Sequence, residues 1–321
     1  MKAIVHYQYG PPSVAQYKEV EKPTPKSNEV LVKVYNTTVN RTDSGFRSAE
    51  YFISRFWSGL LKPKCNILGC EFAGVVEAMG SDVTSFKKGD RVFGFNDKTF
   101  GGHGEFLTIG EKEAIAILDD SISFHQGAAI TEGAHYALNN IKAAKVRNGN
   151  HVMVYGATGA IGSAAVQLLK HFGAHVTAVC NSKNVELVRS LGADVVIDYQ
   201  TEDYTKTDTK FEFIFDAVGK SRFSICKPML ANKGIYISTE FGKNGENVWY
   251  SLTTPMFGGK KLLFPLPTID KETITFLMEL VVKGEFQPVI DRTYPLSQVV
   301  EAYRYVESGQ KTGNVVIQVT E

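Results

Sequence analysis

The sequence predicts an α/β protein in two parts, a β-rich part and a doubly wound parallel sheet, on three observations. The first ~120 residues read as short strands parted by turns. From about Ser123 strand-patterned and helix-patterned segments alternate. That alternation carries a strand, His151-Val152-Met153-Val154, running into a glycine-spaced turn, Tyr155-Gly156-Ala157-Thr158-Gly159-Ala160-Ile161-Gly162.

The turn is the richest stretch. A short apolar run with two valines is a buried strand, and Ser163-Ala164-Ala165-Val166-Gln167-Leu168-Leu169-Lys170 has a helical pattern. Small residues between them let the backbone approach phosphate oxygens, and the helix start presents unpaired N–H groups with a partial positive charge. A small residue at 162 also lets the helix pack close to the strand. The spacing is G-x-x-G-x-x-G, so its meaning rests on the strand before it and the helix after it. The other reading is an ordinary strand–turn–helix of a parallel sheet.

Composition narrows the class. At 321 residues the chain is long enough for two domains, and 43% hydrophobic with 21% charged residues is ordinary globular usage. A net charge of +1 gives no electrostatic case for nucleic acid. No apolar run approaches ~18 residues, and Met1-Lys2-Ala3-Ile4-Val5 reads as the start of a strand, so the expectation is a cytoplasmic protein without a membrane partner. Cys65, Cys70, Cys180 and Cys226 lack C-x-x-C spacing, which argues against a disulfide framework or zinc knuckle.

Taken in order, Met1 to His6 is a strand closed by Tyr9-Gly10-Pro11-Pro12, and Val30-Leu31-Val32-Lys33-Val34-Tyr35 alternates as a half-buried strand does. Gly74-Val75-Val76-Glu77-Ala78-Met79 and Arg91-Val92-Phe93-Gly94-Phe95 continue an all-β, barrel-like opening. Residues 124–145 read as one helix. Strands are then expected at 152–155, 175–180, 195–197, 213–216 and 234–238, with helices at 163–172, 184–191 and 223–230. This is the rhythm of parallel βαβ units. An amphipathic helix is expected over 271–283, and Asn314-Val315-Val316-Ile317-Gln318-Val319 is a closing strand expected to complete the first domain.

These residues resemble the medium-chain dehydrogenase/reductase superfamily, and within it the zinc-independent quinone oxidoreductase branch. The resemblance is carried by Val39-Asn40-Arg41-Thr42-Asp43, Leu68-Gly69-Cys70-Glu71-Phe72-Ala73-Gly74, Phe86-Lys87-Lys88-Gly89-Asp90-Arg91-Val92, Gly156 to Gly162, Leu191-Gly192-Ala193-Asp194-Val195-Val196-Ile197-Asp198-Tyr199 and Phe215-Asp216-Ala217-Val218-Gly219. It implies a GroES-like catalytic domain, 1–122 and 266–321, around a Rossmann NADP-binding domain, 123–265, with the active site in a cleft between them and a homodimer formed near Trp249 to Phe264. In zinc alcohol dehydrogenases of the superfamily, cysteine, histidine and cysteine hold the metal. Here those places fall at Asn40, at Cys70 and near Ile130, so no zinc is expected.

The resemblance points to cofactor contacts from Asn40, Thr131, Gly156, Ala157, Thr158, Gly159, Ala160, Ile161, Gly162, Ser182, Lys183, Tyr199, Val218, Lys311 and Asn314. The second strand of the βαβ part ends Ala178-Val179-Cys180-Asn181-Ser182-Lys183 without an acid. Ser182 can donate to a 2′-phosphate and Lys183 can offer a charge, which favours NADPH over NADH; alternatively Lys183 is a solvated lysine at a helix start. Lys311 and Asn314 either close over the cofactor or belong to an exposed turn. Asn40 is a candidate to bond the acceptor carbonyl or the ribose, and Tyr51 or Tyr136 to polarise the acceptor or give a proton, against a packing role. Phe46, Phe52, Phe56 and Trp57 either line an apolar mouth or cover a helix. Arg47 and Arg55 either meet an anionic acceptor or face water. His103 has no evident partner, and Cys70 is either reactive or an inert buried thiol.

The expected function is hydride transfer from NADPH to a small-molecule quinone or activated alkene without metal. The alternatives are a 2-alkenal or enoyl-thioester double-bond reductase, an alcohol dehydrogenase, and a cofactor-binding structural or RNA-binding protein.

Overall fold

A computed structural model describes residues 1–50 and 55–320, with the side chain of Trp57 left out. Along the chain these form β1 (Lys2–Val5), β2 (Gln16–Glu19), β3 (Glu29–Val39), α1 (Arg41–Ser48), α2 (Arg55–Ser58), β4 (Glu71–Met79), β5 (Arg91–Phe95), β6 (Phe106–Gly110), β7 (Ile115–Ile117), α3 (Phe124–Gly127) and α4 (Thr131–Ala144). There follow β8 (His151–Tyr155), α5 (Ala160–His171), β9 (His175–Cys180), α6 (Val185–Ser190), β10 (Val195–Asp198), β11 (Phe211–Asp216), α7 (Phe223–Cys226), β12 (Leu230–Ser238), α8 (Glu246–Thr253) and β13 (Lys261–Leu263). The last elements are α9 (Lys271–Val282), β14 (Ile290–Pro295), α10 (Val299–Glu307) and β15 (Asn314–Gln318). Two compact units result: Met1–Glu132 with Ile269–Lys283 and Pro288–Glu321, and Gly133–Thr268 with Gly284–Gln287.

The first unit is built on a sheet in the order β14-β15-β3-β4-β5-β7, with β6 also paired to β3. Val30, Val32 and Val34 of β3 bury one face against Phe72, Val76, Val92 and Leu107, as period-two alternation requires. The closing strand β15 pairs antiparallel with β3, setting Val316 opposite Thr38. The opening is not all β: Asn40 and Asp43 form a reciprocal capping box that starts α1. The 124–145 segment is two helices, not one. Ser123 and Gln126 cap the short α3, and a fresh helix begins at Thr131.

The second unit is a six-stranded parallel sheet in the order β10-β9-β8-β11-β12-β13. Counted from β8, that is 3-2-1-4-5-6, the doubly wound dinucleotide-binding order with its switch point between β8 and β11. Met153, Ile214, Tyr236 and Leu262 from four of the strands share one buried cluster. Helix α5 starts at Ala160, three residues before its expected start, because Gly159 already serves as its N-cap. The 223–230 segment is one helical turn followed by a 3-10 turn at Lys227–Met229, since Pro228 cannot continue the helix ladder. No helix among the described residues is long and apolar enough to cross a membrane.

Candidate functional site

In the second unit the glycine turn lies at the switch point. Gly156 has φ +80°, and a Cβ there would stand 2.6 Å from both methyls of Val218, so the loops after β8 and β11 touch. A Cβ on Gly162 would meet the Gly156 carbonyl oxygen at 2.1 Å, which is why α5 can sit so close to the turn. A Cβ at Gly159 would meet nothing within 4 Å, and Gly159 supplies no side-chain cap. The first N–H groups of α5 are therefore not spent on a capping side chain, and open space lies beside Gly159. These residues fit a pyrophosphate. Asp216 accepts from the backbone N–H groups of Val218 at 3.2 Å and Ser221 at 2.8 Å and from the Tyr236 hydroxyl at 3.0 Å, which fixes the Val218 loop.

At the ends of β9 and β10 the structure gathers Ser182, Lys183 and Tyr199, because Cys180 and Asp198 are register partners and the Tyr199 N–H bonds to the Cys180 carbonyl at 3.0 Å. It adds an acid that the reading of β9 alone missed. The Ser182 hydroxyl donates to Asp198 Oδ2 at 2.5 Å, and that bond above all holds the Asp198 carboxyl below its ordinary range. The signal lay in the Asp198-Tyr199 pair of the third strand, whose register against β9 only the sheet supplies.

In the first unit, three buried carboxyl groups converge. Glu71, first residue of β4, accepts at Oε1 from the N–H groups of Thr131 (3.0 Å) and Glu132 (2.6 Å) and from the Thr131 hydroxyl (2.8 Å). Its Oε2 accepts from the Thr38 hydroxyl at 2.5 Å. Glu71 thus takes the first N–H groups of α4, where a negative charge is favourable. Burial pushes the Glu71 carboxyl up, and these donors pull against it. Asp43 accepts from the N–H groups of Gly69 at 3.0 Å and Asn40 at 3.3 Å, and burial pushes it up to about 7. Glu132, buried, accepts from the Thr42 hydroxyl at 2.7 Å; burial, then the Glu71 charge, push it up to about 8. Lys311, half-buried, is a cation that faces Glu132; burial lowers it, against the pull of Glu132, Glu71 and Asp291.

Three expected site residues meet in this network: Asn40, Thr131 and Lys311. The Asn40 side chain accepts from the Asp43 N–H at 2.9 Å and donates to Cys70 Sγ at 3.1 Å. Lys311 Nζ donates to the Gly313 carbonyl at 2.6 Å. Asn314 stands apart, buried and donating to the Val289 carbonyl at 3.0 Å. Tyr51 and Phe52 lie outside the described residues, as does the Trp57 side chain; Tyr136 is half-buried, its ring against His135. Arg47 faces neither water nor an acceptor: at 1% exposure it pairs with Glu307, donates to the Gly10 carbonyl and covers the Tyr303 ring. Arg55 lies over the Tyr9 ring, Phe46 packs edge-on against Phe100, and Phe56 is exposed. His103 does have partners: its Nε2 bonds the Thr38 carbonyl at 2.8 Å, and burial lowers it to about 4. Cys70 is an inert thiol, pushed well up by burial.

Residues 26–134 match the alcohol dehydrogenase GroES-like domain, and residues 191–317 match the family described as zinc-binding dehydrogenase. The chain is 31% identical to the chloroplast envelope quinone oxidoreductase homolog of Arabidopsis thaliana, over 99% of this chain and 98% of that protein. It belongs to the medium-chain dehydrogenase/reductase superfamily, in the quinone-oxidoreductase-like branch. It is also 29% identical to the NADPH-dependent alkenal/one oxidoreductase of A. thaliana, over 99% of this chain and 79% of that protein. The structure of the quinone oxidoreductase from Coxiella burnetii is similar over 100% of this chain and 99% of its own, with TM-score 0.90 and 26% identity.

Despite the zinc in the description of one matching family, the donor set here does not fit that ion. Asn40 gives an amide, Ile130 a hydrocarbon, and the Cys70 thiol is held protonated by burial. Among the described residues no group of three or more His, Cys, Asp or Glu side chains is arranged to hold a metal.

Proposed function

We propose that this protein is an NADPH-dependent oxidoreductase that reduces quinones or activated alkenes without a metal. The observation that carries the reading is the 3-2-1-4-5-6 sheet with an uncapped glycine turn at its switch point, in a chain whose three zinc-ligand places hold an amide, a raised thiol and an isoleucine. When bound, a reduced nicotinamide supplies the hydride. The chain's own residues do the rest. Gly156 to Gly162 and the start of α5 receive the pyrophosphate, and Val218 forms a wall beside it. Ser182, Lys183 and Tyr199 receive the adenosine ribose and its 2′-phosphate, with Asp198 as a counterweight that lessens the preference for phosphate. Asn40, fixed by the α1 cap and the Cys70 sulfur, keeps a second amide N–H to offer an acceptor carbonyl or a ribose hydroxyl.

An acceptor that is already electrophilic needs orientation more than polarisation, and a quinone or an α,β-unsaturated carbonyl meets that condition. The likeness to an alkenal/one oxidoreductase favours a second reading within the same class, reduction of 2-alkenal or enoyl-thioester double bonds. A homodimer is part of the proposal: β13 is an edge strand of the second unit, and Trp249 and Phe257 beside it are 66% and 83% exposed. The deciding experiment is steady-state turnover of NADPH and NADH with 1,4-quinones and enals side by side. Turnover of either acceptor class with NADPH preferred is the expected result. Absence of turnover on every acceptor, or strict NADH use, would overturn the reading.

A further inference from the structure

A second set of exposed apolar side chains, apart in the chain from the one beside β13, lies in the first unit on α2 and the loop that leaves it. Phe56, Leu60 and Leu61 are 66%, 53% and 90% exposed there. Removing apolar surface from water is the main gain of folding, so leucines held out in solvent by an ordered loop mark a surface with a partner. The loop is built, not loose. The Lys64 N–H donates to the Ser58 carbonyl at 2.7 Å and the Gly59 N–H to the Arg55 carbonyl at 2.9 Å. Gly59 has φ +119°, and a Cβ there would stand 2.1 Å from the Lys62 carbonyl oxygen, so the turn closes only on glycine. Tyr9 ties the loop to the body of the unit. Its hydroxyl lies 2.8 Å from Ser58 Oγ and donates to the Gly59 carbonyl at 2.6 Å, and the Arg55 guanidinium covers its ring. Pro63 is buried, whereas Leu60, Leu61 and Lys62 before it are exposed.

The second observation is charge. The chain as a whole is nearly neutral, at +1, yet residues 51–70 hold Arg55, Lys62 and Lys64 and no acid. Lys62 and Lys64 are exposed and Arg55 is half-buried. Glu50 precedes the run, and Glu71 after it is buried. That mixture says what kind of partner fits. Cores of protein–protein interfaces are depleted in lysine. A lipid surface suits both halves at once. Leucine and aromatic side chains enter the boundary between headgroups and acyl chains, while lysine and arginine stay in water beside anionic headgroups. We propose that the 55–64 loop docks this protein on anionic lipid bilayer surfaces.

The docking is peripheral, and it departs from the expectation of a chain without a membrane partner. The lack of an apolar run long enough to span speaks only of crossing a bilayer; lying on one takes a few side chains. With so few engaged, the binding is reversible and weakens as salt screens the lysines. It needs neither cofactor nor acceptor, so it stands apart from the reductase reading.

The test is flotation of the full chain with two kinds of vesicle, phosphatidylcholine alone and phosphatidylcholine with about one third phosphatidylglycerol. Wild-type protein is expected to float with the anionic vesicles at low salt and to stay behind with phosphatidylcholine alone. Lys62→Gln together with Lys64→Gln is expected to weaken the binding about 25-fold, about fivefold for each lysine beside an anionic leaflet. Leu60→Ser together with Leu61→Ser is expected to weaken it about tenfold, because those side chains no longer gain from leaving water. Unchanged melting temperatures check that both double variants keep the fold. Wild-type protein that binds neither vesicle would hand the loop to a protein partner and overturn the inference; equal binding to both would take charge out of it and do the same. Anionic binding that either double variant leaves unaltered would put the contact elsewhere on the surface and overturn it too. Light scattering without vesicles reads the remaining occupant: a mass that falls in the leucine variant would assign the loop to a second copy of this chain, against lipid docking.

Discussion

Asp198 sets the cofactor preference that the proposed function predicts. In the proposed cofactor site Lys183 and Tyr199 receive a 2′-phosphate, while Asp198 holds the Ser182 hydroxyl and adds a negative charge beside it. Lys183→Ala is expected to raise the KM for NADPH about tenfold and leave that for NADH nearly unchanged, the worth of one charge-assisted hydrogen bond. Asp198→Asn is expected to do the opposite, improving NADPH relative to NADH; equal effects on both cofactors in paired titrations would remove the phosphate assignment. Asp43 makes a separate, thermodynamic prediction. Its carboxyl rises from 3.8 to about 7 on folding, so between those values the folded chain binds more protons than the unfolded one. Its contribution is present below pH 3.8 and is lost as pH climbs through about 7. His103, lowered from 6.5 to about 4, contributes with the reverse sign, its share being lost as pH falls through that window. Urea melts across pH 4 to 7 should therefore show Asp43→Asn relieving a decline of at most about 1.4 kcal/mol per pH unit. An unaltered slope would contradict it.

At the scale of elements, the turn between β8 and α5 was readable because its physics is local: the spacing of Gly156, Gly159 and Gly162 says where backbone must approach backbone. Gly162→Ala puts a methyl 2.1 Å from the Gly156 carbonyl oxygen, so the helix must move off the strand. A loss of about 1–3 kcal/mol in stability, together with weaker cofactor binding by fluorescence titration, is the expected outcome. Wild-type stability and affinity would show that the close approach is dispensable. The start of α4 was not readable in the same way. An acid at its second position reads as an ordinary helix-dipole partner, and only the register of β4 reveals that Glu71 already fills that role from outside the helix. Arg47 is similar, since a charged residue near the end of a short helix reads as solvated until α10 brings Glu307 and Tyr303 to it.

For the molecule as a whole, the open edge at β13 makes the proposed dimer testable. Phe257→Glu is expected to halve the molecular mass measured by light scattering while leaving the far-UV spectrum intact, because it puts a charge into a broad exposed apolar surface; an unchanged mass would move the interface elsewhere. Taken alone, the residue order determined the class of fold, the family and the glycine turn between strand and helix. Periodicity and glycine spacing act over a few residues, and several motifs in a fixed order leave little room for another architecture. Only the tertiary structure decided which charges are buried and what they face. The meeting of Asp198 with Ser182, of Arg47 with Glu307 and of Glu132 with Thr42 joins residues 16, 260 and 90 positions apart, and a carboxyl's proton affinity depends on neighbours that chain order alone does not name.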